Sequence, residues 1–173
     1  MRNSSRNMVR CALFAALIAV CGWISVPVSD IAFTLQTFGI FLTLGLLGGK
    51  RGSAAVLIYL LLGAAGMPVF SGFRGGIGVL AGVTGGYLWG FLLAGLAYRA
   101  LERYGKLPAM IAGQIVCYVC GCLWFYLYAG GGLLLIIGRC VLPYLIPDAA
   151  VCGGSSNSQC GLSRWRRVVP TRR

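Results

Sequence analysis

Histidine is absent from this 173-residue chain, and its acidic residues number three, Asp30, Glu102 and Asp148. Acid and base catalysis, base-activated nucleophiles and most metal sites draw on those residue types, so the inventory for an enzyme or a metal centre is nearly empty. Glu102 stands in a basic segment and is expected to balance Arg99 and Arg103. A P-loop is also lacking, because Leu44 occupies the position where Gly49-Lys50 would need an earlier glycine. Gly76-Ile77-Gly78-Val79-Leu80-Ala81 fits a dinucleotide fingerprint only formally, since no strand precedes it. Nor is there a row of intramembrane acids to couple protons or sodium ions, so a solute moved by this chain would draw its energy from elsewhere. The chain has 8 cysteines, and Cys117 and Cys120 have CxxC spacing. They lie in an apolar run beside Cys122, where small hydrophobic packing is the expected role.

What is present is apolar. Hydrophobic residues make up 58% and charged residues 10% of the chain, well above the roughly 45–50% apolar share of soluble domains. The uncharged run Cys11–Ser29 follows Arg2, Arg6 and Arg10 in the manner of a signal peptide, but no small-residue cleavage site ends it. It reads as a first membrane span within Val9–Val28, followed by spans at Phe33–Gly48, Ser53–Phe70, Ile77–Tyr98 and Leu107–Tyr128. A sixth candidate, Gly132–Ala150, carries Arg139 in its middle and Pro143 and Pro147 near its end. The expected fold is an all-α integral membrane bundle, with residues 1–150 as the membrane domain and 151–173 as a polar, basic, solvated tail.

The net charge of +12 would suggest nucleic acid in a soluble protein, but here the basic residues fall between the apolar runs. Arg2, Arg6, Arg10, Lys50, Arg51, Arg99, Arg103 and Lys106 share one side, against Arg74 and Asp30 on the other. The positive-inside rule then puts the N-terminus in the cytoplasm. Gly78, Gly82, Gly86, Gly90 and Ala94 recur every four residues along the fourth span, and Ala12 and Ala16, with Ala15 and Ala19 beside them, form a smooth stripe on the first. Both patterns permit close helix approach, either inside the bundle or toward a partner subunit.

Polar residues gather at the predicted outer end: Asp30, Thr34, Gln36 and Thr37, then Ser71 and Arg74, then Tyr144 and Asp148. They either line a pocket open to the exterior or cap helices at the water interface.

Two stretches carry a resemblance. Phe33-Thr34-Leu35-Gln36-Thr37 and Gly66-Met67-Pro68-Val69-Phe70, running on to Thr84-Gly85-Gly86-Tyr87, resemble the motifs of the BioY family in order and spacing over about residues 10–148. The resemblance implies a six-helix substrate-binding subunit, or S component, of an energy-coupling-factor transporter. It implies biotin as ligand, a transmembrane coupling protein and two cytosolic ATPases as partners, no cofactor, and a multi-pass plasma membrane location. Ala12 and Ala16 are similar to the docking motif of such subunits.

Biotin suits the inventory. Asp148 would accept from the ureido N–H groups, Thr34, Gln36 or Tyr144 would answer its polar atoms, and Arg74 would face the carboxylate. Phe33, Phe70, Tyr87 and Trp89 would form apolar walls, with Gly76 in the glycine-rich turn beside them.

Two departures from the family pattern are visible. Val83 stands where members have proline, a change expected to affect a helix start. Val151 stands where members place lysine, and a polar tail follows in place of a sixth helix. Either the chain is out of frame after Ala150 and Gly132–Pro147 is an outer connection, or Gly132–Ala150 is itself the sixth span and the tail lies inside. The competing functions are an S component for another vitamin, a decayed copy, a structural membrane interaction protein and an intramembrane enzyme.

Overall fold

The computed structural model describes residues 2–26 and 33–129. Its helices are α1 (Arg2–Trp23), α2 (Gln36–Leu47), α3 (Gly49–Ala64), α4 (Ile77–Ala81), α5 (Gly85–Leu101) and α6 (Lys106–Ala129). A short antiparallel ladder joins β1 (Ser25–Val26) to β2 (Phe33–Thr34). Asp30, the candidate span 132–150 with Arg139, Tyr144 and Asp148, and the tail 151–173 lie outside the described residues.

Periodicity decides which way each long helix faces. Cys11, Ala15, Ile18 and Ala19 of α1 are buried, while Leu13, Leu17 and Val20 face outward. On α6, Ala109, Met110 and Cys117 turn in, and Leu107, Ile111, Ile115, Val119, Leu123 and Leu127 stand every four residues on an exposed face. So much exposed apolar surface is a liability in water and the ordinary outer face of a bundle in lipid. The segments Ser5–Trp23 and Lys106–Tyr128 are long and apolar enough to cross a membrane.

Helix α2 occupies the centre. Its 12 residues reach about 18 Å at 1.5 Å per residue, short of a hydrocarbon core of about 30 Å. Ile40, Phe41, Thr43 and Leu44 are wholly buried or nearly so, and the Thr43 hydroxyl is satisfied by donating to the Gly39 carbonyl at 2.6 Å. Gly48, at φ 79°, makes the turn into α3, a conformation that side-chain-bearing residues rarely adopt.

The loop between α5 and α6 secures that turn. Gly49 N–H donates to Glu102 Oε2 at 2.7 Å, and Lys106 Nζ donates to the Gly45 carbonyl at 3.4 Å. An acid thus meets the N-terminus of α3 and a cation the C-terminus of α2, each the favourable sign for the helix dipole. The sequence suggests Glu102 as the balance for Arg99 and Arg103; in the structure its carboxylate caps a helix instead.

The predicted Ser53–Phe70 span ends as a helix at Ala64, and the chain turns back over the bundle. Phe70 packs on Gly63, where a Cβ would sit 2.0 Å from Phe70 Cζ. Trp23 Nε1 donates to the Pro68 carbonyl at 2.9 Å, and its ring stacks on Phe73 at 5.0 Å.

The fourth span differs most from expectation. Instead of one helix over 77–98, α4 stops at Ala81 and α5 begins at Gly85, with Val83 in the break. Open backbone at membrane depth persists only where it is buried in protein or lines a cavity. Here the Gly82 carbonyl accepts from Trp124 Nε1 at 2.9 Å and from the Gly85 N–H at 3.0 Å, and Thr84 borders a cavity. The glycine ladder therefore does not share one helical face. Gly78 meets nothing within 4 Å, whereas a Cβ on Gly86 would fall 2.2 Å from Trp124 Cβ, so the lower part of the ladder seats α5 on α6.

Candidate ligand-binding site

Three features converge at one end of the bundle: the start of α2, the loop after α3, and the break between α4 and α5. They enclose a cavity that opens to solvent, about 700 Å³ with the open space counted. Thr34, Gln36 and Thr37 line it from the first connection, and Phe70, Ser71 and Arg74 from the second. Val79 and Thr84 flank it at the break, Tyr87, Leu88 and Phe91 from α5, and Gln114, Cys117 and Tyr118 from α6.

The polar groups are set in distinct environments. Gln36 is 4% exposed; its side-chain carbonyl accepts from Thr34 Oγ1 at 3.0 Å, and its amide nitrogen donates to Tyr59 Oη. Arg74 lies at the exposed rim, with Nε donating to the Ser71 carbonyl at 3.2 Å. That bond fixes the stem of the side chain near the opening and leaves the terminal guanidinium nitrogens for an anion. The apolar part of the wall comes from Phe70, Val79, Leu88 and Phe91. The result is a largely apolar chamber with a few convergent polar groups and a cation at the mouth.

Of the residues singled out from the sequence, Thr34, Gln36, Arg74 and Tyr87 meet at this cavity, as do Thr37, Phe70 and Ser71. Trp89 does not; it is 46% exposed on the outer side of α5. Gly76 shapes the loop instead of lining the cavity: at φ 95° its N–H donates to the Gly63 carbonyl at 2.7 Å. Phe33 is held by its backbone pairing with Val26. Asp148 and Tyr144 lie outside the described residues. Sequence reasoning missed Thr84, Gln114 and Tyr118. Gln114 carried a usable signal, being the lone amide side chain in the α6 run, and an amide held inside a membrane helix is a functional candidate by default.

Ala12 and Ala16 are exposed, while Ala15 and Ala19 face the core. The stripe thus divides into an inner pair that lets α1 pack and an outer pair that leaves a smooth external face.

The BioY family model matches residues 1–164. The chain belongs to the BioY family. A Thermotoga maritima relative called biotin transporter BioY is 45% identical over 121 residues, covering 67% of this chain and 72% of that one. A Pyrococcus horikoshii relative, a probable biotin transporter BioY, is 41% identical over 141 residues, covering 79% and 83% respectively. The fold matches a crystal structure at 2.1 Å of the S-component for biotin from an ECF-type ABC transporter, with a TM-score of 0.79. That match has 24% identity and covers 96% of this chain and 93% of the other. It bears out the reading of a helical membrane bundle of the S-component type. The family match continues past Ala150, where the resemblance read from the sequence stops.

Proposed function

We propose that this BioY-family protein captures biotin from the outer side of the plasma membrane, as the substrate-binding subunit of an energy-coupling-factor transporter. The observation that carries the reading is the cavity itself, which joins the family's Thr34-Leu35-Gln36 segment, Arg74 and Tyr87 in one chamber. Biotin pairs an apolar thioether ring and chain with a ureido group and a carboxylate. The chamber pairs apolar walls with hydroxyl and amide groups inside and a guanidinium at the rim.

In this reading Arg74 faces the carboxylate, Thr34 and Gln36 border the polar ring, and Tyr87 and Phe33 flank its apolar parts. Gly76 holds the glycine-rich turn, Asp148 accepts from the ureido N–H groups, and Tyr144 is a further ligand-binding residue. Residues 1–150 act as the membrane domain, with 151–173 as a basic tail at the surface. Orientation is supported by the basic end, where Lys50, Arg51 and the Arg99–Lys106 stretch lie opposite the cavity, as the positive-inside rule requires of a cytoplasmic face.

The protein is a transporter component and not an enzyme, and no residue of the cavity is asked to react. Movement of the ligand draws on partners: a transmembrane coupling protein and two cytosolic ATPases. The exposed Ala12 and Ala16 face of α1 supports a docking role, because small residues admit another helix closely.

The test is equilibrium binding of tritiated biotin to the purified protein, with other vitamins as competitors. Saturable binding displaced by unlabelled biotin alone is expected. Displacement by a different vitamin, with biotin ineffective, would overturn the ligand while keeping the scaffold.

A further inference from the structure

Beneath the cavity a buried row of hydrogen bonds links its two loop walls. Thr34 Oγ1 donates to Gln36 Oε1 at 3.0 Å, Gln36 Nε2 donates to Tyr59 Oη, and Tyr59 Oη donates to the Val69 carbonyl at 3.3 Å. The direction of the row is fixed by proton accounting. Were the Gln36 amide reversed, its oxygen would claim the Tyr59 proton, and the Val69 carbonyl would lose its donor. With the amide as placed, one phenol serves both walls: it accepts from α2 and donates to the loop after α3.

Tyr59 is wholly buried and does not line the cavity. Its ring meets Phe70, which does line it, edge-on at 5.6 Å. From α1, Gly22 closes over the same junction: a Cβ there would lie 3.2 Å from both Gln36 Cγ and the Val69 carbonyl oxygen. The loop beyond Val69 carries Phe70, Ser71 and Arg74 into the cavity. It also holds Gly72 at φ 69° and Phe73 at φ 56°, and a left-handed phenylalanine persists only where its surroundings hold it.

We propose that Tyr59 is a positioning residue of the ligand site, binding the Thr34–Gln36 wall and the Phe70–Arg74 wall into a single body through its hydroxyl. Its effect on biotin retention rests on the function proposed above; its tie between the loops does not. A ligand held between two walls escapes when either moves, so joining them slows release without adding a contact.

The experiment is Tyr59→Phe, which keeps the ring against Phe70 and removes only the hydroxyl. In the ligand-free protein, amide hydrogen exchange is read at Phe70, whose N–H donates to the Arg74 carbonyl at 2.9 Å, and at Gly76. Exchange there is expected to rise severalfold, with α6 unchanged. Tritiated biotin is expected to dissociate up to about tenfold faster, as loss of one buried hydrogen bond allows. Gly22→Val, whose Cβ would already lie 3.2 Å from Gln36 Cγ and the Val69 carbonyl oxygen and whose branches reach further, wedges the same junction from α1 with Tyr59 intact; it should give the same pattern and serves if Tyr59→Phe does not fold. Unchanged exchange at Phe70 and Gly76 in Tyr59→Phe, or in Gly22→Val where Tyr59→Phe does not fold, overturns the tie. Faster exchange with unaltered biotin release overturns its part in ligand retention. A parent protein that binds no biotin refutes the proposed ligand, while the exchange measurement still decides whether Tyr59 joins the walls.

Discussion

Gly78, Gly86 and Gly90 are equivalent in the sequence, four-residue steps along one apolar run, yet alanine at each should have different consequences. At Gly78 an added Cβ meets nothing within 4 Å, so Gly78→Ala should gain the helix preference of alanine, about 0.5–1 kcal/mol. At Gly90 the nearest atoms, the Cys117 carbonyl oxygen and Cα and Cys120 Cβ, lie at 3.2 to 3.3 Å. A shift of a few tenths of an ångström accommodates that methyl, and the variant should be close to neutral. At Gly86 the Cβ would sit 2.2 Å from Trp124 Cβ and 3.0 Å from the Cys120 carbonyl oxygen. Carbon pairs prefer about 3.5–4.0 Å, so α6 or Trp124 must retreat by more than about 1 Å. Overpacking of that kind costs about 1–3 kcal/mol. If Trp124 moves, its bond to the Gly82 carbonyl goes too, a further ~0.5–1.5 kcal/mol. Offset by the helix gain, the net loss is about 0.5–4 kcal/mol. Unfolding of the three variants in detergent, followed by tryptophan fluorescence, should rank them Gly78→Ala, Gly90→Ala, Gly86→Ala from most to least stable. Biotin affinity should fall only for the last, because the break it disturbs borders the cavity. A Gly86→Ala protein as stable as Gly78→Ala would refute the close seating of α5 on α6.

Glu102→Gln keeps the shape of the cap on α3 but removes its charge, and should lower stability by about 0.3–1 kcal/mol, less at high salt; a salt-independent change in the unfolding curve would count against the dipole argument. Trp at both Ala12 and Ala16 should abolish co-purification with the coupling proteins while leaving the melting of the isolated subunit unchanged, since both positions face outward; retained co-purification would show that this face is not used. Asp148→Asn should weaken biotin binding by at least about tenfold, equivalent to ~1.4 kcal/mol, if its carboxylate accepts from the ureido N–H groups; parental affinity would move the pocket away from Asp148.

Helix existence was legible in the sequence wherever an apolar run was long, because period and length survive without knowledge of neighbours. Residues 107–128 anticipated α6 nearly to the residue. The break at Gly82 was not, because part of its support is distant: the Trp124 indole donates to a carbonyl 42 positions earlier. Glycines spaced by four look continuous until the partner that interrupts them is in place. The candidate site was legible in outline, since Thr34, Gln36 and Arg74 stood out as polar residues at the ends of apolar runs and Tyr87 through the family motif. Thr84 and Tyr118 were hidden among similar neighbours, and only the crossing of α5 with α6 brings them to the cavity. Glu102 was misjudged for the same reason: sequence proximity favoured the adjacent arginines, while the fold delivers it to a helix end.

The clasp on the α2–α3 turn also bears on how the chain is made. Glu102 is 53 positions beyond the amide it caps, and Lys106 is 61 beyond the carbonyl it meets. A ribosome adding about 5–20 residues per second takes several seconds to cover that stretch. Throughout that time α2 and α3 are complete while neither group that locks their shared turn has been made. The first half of the bundle is therefore synthesised as a hinged hairpin, and its locking parts arrive with the second half. Charge removal at Glu102 or Lys106 should consequently lower the yield of inserted protein by more than it lowers the stability of molecules that have already folded.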